Sequence, residues 1–228
     1  MIKNNHFENE VEAGLQKSQL KFVRNINIEK VDGIINRSNR KGEFDFIFEI
    51  DDTLFFIECK RFLQPFYFKD HQVLYEKIHQ ECYKLKTNVN HVIKNQYKFD
   101  RTNPKISEFL SDDWITKKKT IKLLLTSCCL GEYLFVHDCH VLDIEVFNAW
   151  LFNKEIVWRD IKTMETIHIS CAKKPGSLLD RFELLSKEID ILKYKRGQCT
   201  MVINTPNIAG LQTEFPMYLQ YIPDQVLV

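Results

Sequence analysis

Between Lys41 and Arg61 the chain reads KGEFDFIFEIDDTLFFIECKR, and this ribbon constrains the fold more than any other stretch. Two runs rich in Phe and Ile flank Asp51-Asp52, the pattern of two strands joined by a two-residue turn. With those aspartates as the loop, Ile50 faces Thr53, Asp45 faces Glu58 and Glu43 faces Lys60. Side chains alternate along a strand, so Glu43, Asp45, Ile47, Glu49, Leu54, Phe56, Glu58 and Lys60 share one face. Phe44, Phe46, Phe48, Phe55, Ile57 and Cys59 share the other, which reads as the core face. Asp45, Glu58 and Lys60 therefore converge at one end of a single face.

Helical spacing of Phe7, Val11 and Leu15 predicts a first helix over residues 7–20, with Glu8 and Glu12 one turn apart beside the stripe. Residues 21–29 alternate as a strand in Phe22, Ile26 and Ile28, although Val23 breaks the phase. Residues 36–42 read as a loop, and Gln64-Pro65 ends the ribbon. Asp70 is the expected N-cap of a long helix reaching about residue 95. Residues 97–113 read as a loop with a short helix near 106–110. Residues 121–129 suit a buried strand, 133–136 another strand, and 143–152 a short amphipathic helix. A strand at 166–171, a helix over 177–192 and a strand near 200–204 complete the reading. This order predicts an α/β fold with a mixed central sheet flanked by helices. A core over 1–157 and a C-terminal α+β extension over 158–228 is the expected division, with one single domain as the alternative.

Charge narrows the function classes. A formal net charge of +1 over 228 residues gives no general case for polyanion binding, so any such binding needs a local patch. The start of the chain lacks the apolar segment of a signal peptide. No run approaches the roughly 18 apolar residues of a membrane span. Seven scattered cysteines without CxxC spacing argue against a disulfide framework. The expectation is a soluble protein of a reducing, cytoplasmic compartment that does not engage a membrane.

Two carboxylates a few ångströms apart repel unless a cation sits between them. A hard ion such as Mg²⁺ takes oxygen ligands and keeps waters that a substrate phosphate can replace. Asp45 and Glu58 supply such oxygens, and the Cys59 backbone carbonyl is expected to point to the same place. Lys60 then orients, or helps deprotonate, a water attacking phosphorus. The competing reading is a surface hairpin with one acidic and one basic cross-strand pair.

Asp45, followed after twelve residues by Glu58-Cys59-Lys60, resembles the PD-(D/E)xK, or restriction-endonuclease-like, superfamily. The forms Gly42-Glu43-Phe44-Asp45 and Phe56-Ile57-Glu58-Cys59-Lys60 are most similar to its Mrr-like and nuclease-related branch. The resemblance covers about residues 7–95, and more loosely the chain to Leu151. It implies a restriction-endonuclease-like core, a Mg²⁺ or Mn²⁺ cofactor, Asp45 and Glu58 as metal ligands and Lys60 as the catalytic lysine. It also implies Glu8 as an accessory ligand, with Glu12 as the competing choice. Phe44 stands where the proline that names the motif is expected. The implied activity is phosphodiester hydrolysis, foremost by a DNA endonuclease of restriction, phage defence or mobile elements, with an RNA-directed nuclease as an alternative. A homodimer or a partner protein would supply double-strand cleavage and recognition. The alternative is a catalytically inactive nuclease-like fold acting as a nucleic-acid- or protein-binding module.

Arg37, Arg40, Lys41 and Arg61 flank the proposed site and are expected to contact a nucleic-acid backbone, as is the basic run Lys117, Lys118 and Lys119. His137-Asp138-Cys139-His140 does not read as a metal site, because adjacent strand residues point to opposite faces. No glycine-rich phosphate loop is present.

Overall fold

The stripe Phe7, Val11 and Leu15 forms the buried face of α1 (His6–Lys17). A computed structural model of the chain describes residues 6–30, 42–65, 67–94, 97–99, 106, 109, 119–128, 134–154, 156–159, 166–169 and 176–188. After α1 come β1 (Phe22–Lys30), β2 (Gly42–Ile50), β3 (Thr53–Lys60), α2 (Phe68–Ile93) and β4 (Tyr97–Phe99). Then follow β5 (Lys119–Thr126), β6 (Leu134–Val136), β7 (Cys139–Asp143) and α3 (Ile144–Leu151). The last described elements are β8 (Ile156–Arg159), β9 (Thr166–Ile169) and α4 (Leu178–Glu188).

Among the described residues, seven strands form one mixed sheet in the order β4-β1-β2-β3-β5-β7-β6, and β8 pairs with β9 in a separate ladder. The meander β4-β1-β2-β3 is antiparallel, whereas β5 runs parallel to both β3 and β7. A parallel neighbour requires a long crossover, and α2 lies within the connection from β3 to β5. Strands this central are buried on both sides, which explains why β3 and β5 read as nearly continuous apolar runs.

The expected single core face of the hairpin is corrected accordingly. Phe46, Phe48, Phe55, Ile57 and Cys59 pack beneath α1, α3 and α4, where Phe55 meets Trp150 and Phe182. Ile47, Leu54 and Phe56, expected on the polar face, are fully buried beneath α2. That helix contributes Leu74, Ile78, Cys82, Leu85, Val89 and Val92, a stripe at three- and four-residue spacing. Trp150 donates its indole N–H to the Leu178 carbonyl at 2.9 Å, tying α3 to α4.

One irregularity positions the later chemistry. Phe22 and Arg24 of β1 lie towards α1, while Val23, Ile26 and Ile28 all join the core beneath α2. Alternation therefore flips at Asn25, which sits in left-handed backbone at φ 55, a conformation asparagine tolerates. β2 flips at the same level: Phe46 and Phe48 face one core and Phe44 the other. The β1–β2 register skips the Asn25–Asp45 pair. Asp45 thus stands at a kink shared by two strands.

Other expectations are also revised. Asp70 is not the N-cap of α2; Tyr67 is, and the Asp70 carboxylate accepts the Tyr67 N–H at 3.1 Å from inside the first turn. Residues 97–99, read as loop, form β4 at the sheet edge. Neither β7 nor β8 was anticipated, and the 157/158 division falls inside β8. Phe182 and Leu185, beyond that division, belong to the core beneath α1. The strand expected near 200–204 lies outside the described residues.

Candidate metal centre

The β2–β3 ladder has the expected register from Ile50–Thr53 to Phe46–Ile57, and there it stops. Asp45–Glu58 and Glu43–Lys60 are not paired, because the strands part where β2 kinks. Continued by two residues, the ladder would set Phe44 against Cys59. Instead, the Cys59 N–H is donated to Asp45 Oδ2 at 2.6 Å. A carboxylate replaces a backbone carbonyl, which fixes Asp45 against the strand that carries Glu58.

Alternation on β3 sends Ile57 and Cys59 towards α1, and Glu58 and Lys60 towards α2. Lys60 forms an ion pair with Glu58 and a second, at 3.5 Å, with Glu81 of α2. Glu81 is held in turn by Lys84, one turn along the helix. Glu43, the partner expected for Lys60, is exposed. Glu81 was not anticipated as part of the site. It follows Ile78 by three residues and Leu74 by seven, so helical spacing alone places it on the sheet-facing side of α2.

Arg24 binds both acidic residues of α1: Glu8 at 3.2 Å, and Glu12 as well. The charge of Glu8 raises the Asp45 pKa, as does that of Glu43, so the expected accessory residue acts on Asp45 through its charge.

The electrostatics describe a centre with too little positive charge. Burial is the largest cause raising Asp45, and the Cys59 N–H and Lys60 only partly oppose it. Burial and the Asp45 charge push Glu58 up from 4.5 to about 7, although Lys60 pulls the other way. Burial disfavours the Lys60 ammonium, but Glu58, Glu81 and Asp45 more than compensate and hold its pKa above the usual lysine range. Lys60 is therefore a firm cation, suited to donating hydrogen bonds to a water or a phosphate.

The donor set suits a hard divalent ion. Two crowded carboxylate residues, both held above the usual carboxylate range by burial, gain from an added cation. Among the described residues no three His, Cys, Asp or Glu side chains converge tightly enough to form a metal site on their own. An ion held by Asp45 and Glu58 would complete its shell with main-chain oxygen, water or substrate, the usual way Mg²⁺ is bound.

Of the basic residues, Arg61 follows Lys60 directly and is exposed. Lys119 is not brought to the centre. Parallel pairing sets it beside Thr53, and Thr126 beside Lys60, which puts it about 23 Å away along the strand. It pairs with Glu183 at 3.2 Å. Arg37, Arg40, Lys41, Lys117 and Lys118 lie outside the described residues. No family model, curated protein or solved structure significantly matches this chain.

Proposed function

We propose that this protein is a Mg²⁺- or Mn²⁺-dependent nuclease that hydrolyses phosphodiester bonds in DNA, built on a restriction-endonuclease-like core. The observation that carries this reading is the convergence of Asp45 and Glu58 at the open end of the β2–β3 hairpin, beside a persistently cationic Lys60. The mixed sheet, with α1 on one face and α2 crossing over between parallel strands, supports the fold assignment.

Asp45 and Glu58 would hold the ion, whose contribution is to polarise the phosphate and lower the pKa of a bound water. Lys60 orients the attacking water or stabilises charge on the phosphate as an ammonium donor. The Cys59 N–H keeps Asp45 in place, and Glu8 adds negative potential from α1. Arg61, exposed and next to Lys60 in the chain, would meet a backbone phosphate beside the site. A net charge of +1 argues that recognition draws on a second copy or a partner protein.

Supercoiled plasmid and matched RNA, incubated with the purified protein and Mg²⁺ or Mn²⁺, test the proposal. Nicking of DNA that disappears on chelation is expected. No cleavage of either substrate with either ion would overturn it. One observation favours a second reading, a non-catalytic binding module: the Lys60 ammonium already occupies Glu58. Binding of DNA without cleavage would select that reading.

Glu81 gives Lys60 another anion to rest on when Glu58 turns to a metal ion. Glu81→Gln is expected to weaken Mn²⁺ binding about three- to tenfold in the wild-type background and to change nothing in a Lys60→Met background. Titration calorimetry on the four proteins measures this. An equal loss in both backgrounds would assign Glu81 to the general field of the site instead.

A further inference from the structure

Two imidazoles meet where α2 passes the turn between β6 and β7. His79 Nδ1 lies 3.3 Å from His137 Nε2, and the rings stand at 88° with centroids 5.2 Å apart. Both residues are exposed. His137 is presented by a turn in which it and Asp138 adopt left-handed backbone, at φ 51 and φ 63. The Tyr83 ring packs against His137 at 76°, centroids 5.8 Å apart. The neighbouring Asp138 carboxylate is taken by the Lys122 ammonium at 2.7 Å.

Zinc-like ions bind imidazole nitrogen at about 2.0–2.1 Å, so two such ligands at a tetrahedral angle stand about 3.3–3.4 Å apart. The two nitrogens already have that separation. An N–H···N bond between neutral rings has a similar length, with the proton on the line between the nitrogens. A shared ion needs each lone pair to point about 35° off that line, a rotation open to exposed rings whose terminal torsions are broad.

We propose that His79 and His137 form a site for one borderline transition ion of the Zn²⁺, Ni²⁺ or Cu²⁺ class. Imidazole suits these ions, whereas Mg²⁺ prefers oxygen. Among the described residues no third His, Cys, Asp or Glu side chain completes a metal group with the pair. Solvent fills the positions that the described residues leave open, where an outside ligand can enter. The site shares no residue with the acidic centre. It clamps α2, the helix whose Glu81 touches Lys60, to the β6–β7 turn.

The test is a Ni²⁺ titration of the full chain with Mg²⁺ in excess, followed by calorimetry and by thermal melting. One equivalent is expected to bind to the wild type, with an affinity that falls at least about tenfold in His79→Ala and in His137→Ala. Tm is expected to rise with Ni²⁺ in the wild type and not in either variant. His79→Gln, which keeps a polar side chain but not the imidazole, should behave as the alanine variant does. Both positions are exposed, so melting without Ni²⁺ shows that each variant folds. Ni²⁺ binding that is absent from the wild type, or unchanged in both single variants, overturns the proposal.

Discussion

Lys60→Ala is expected to reduce metal-dependent cleavage by about 10²–10⁴ while Mn²⁺ binding persists. On the proposed mechanism the substitution removes the cation that would meet the phosphate or water, but it leaves Asp45, Glu58 and the Cys59–Asp45 bond in place. Its effect on the fold is smaller. Glu58 and Glu81 lose their shared partner, but the Lys60 side chain is 31% exposed. The cost is therefore on the order of 1–2 kcal/mol, below that of breaking a fully buried pair. Single-turnover cleavage beside Mn²⁺ calorimetry separates the two effects. Lys60→Arg keeps the charge and is expected to recover binding geometry better than rate, since a planar guanidinium does not replace a compact ammonium. Cleavage by Lys60→Ala within about tenfold of wild type would remove Lys60 from the chemistry.

The hairpin was legible because a period of two and a two-residue turn leave one register, and the ladder follows it from Ile50–Thr53 to Phe46–Ile57. What pattern does not reveal is where alternation breaks. Asn25 looks like any other strand-interior polar residue, yet its left-handed backbone reverses the facing of β1, and β2 reverses beside it at Asp45. The apparent misfit at Val23 was a trace of that flip: Val23 shares a core with Ile26 and Ile28 because the strand turns over between them. Burial of both hairpin faces was hidden for another reason. A strand gains a second core only from helices distant in sequence, here α2 on one side and α1, α3 and α4 on the other.

At the centre, Asp45, Glu58 and Lys60 were readable as a group, but their partners were not. The expected cross-strand contacts assumed an unbroken ladder, whereas the kink exchanges them for the Cys59 N–H and Glu81. The basic residues show how strand direction decides placement. Lys119, the last lysine of the expected basic run, opens β5, and β5 is parallel to β3, so this residue lies at the opposite end from Lys60.

A site that holds more negative charge than its own cations balance stores instability, and Asp45→Asn should release it. Burial and Asp45 hold Glu58 at about 7, against 4.5 for an ordinary glutamate. The folded state therefore binds more protons than the unfolded state between those values. By linkage, stability falls as pH rises through that window and levels off above it, by an amount on the order of 3 kcal/mol. Asparagine can still accept the Cys59 N–H through its amide oxygen, but it carries no charge to raise Glu58. The variant is expected to lose Mn²⁺ binding and cleavage, yet to match or exceed wild-type stability at pH 7–8, with a flatter decline from pH 4.5 to 7. Urea denaturation across that range measures the difference between the two slopes, in which groups remote from Asp45 cancel. Equal slopes would mean that Asp45 does not press on Glu58. A variant less stable than wild type at pH 8 would make Asp45 a structural hydrogen-bonding residue first, with its charge incidental.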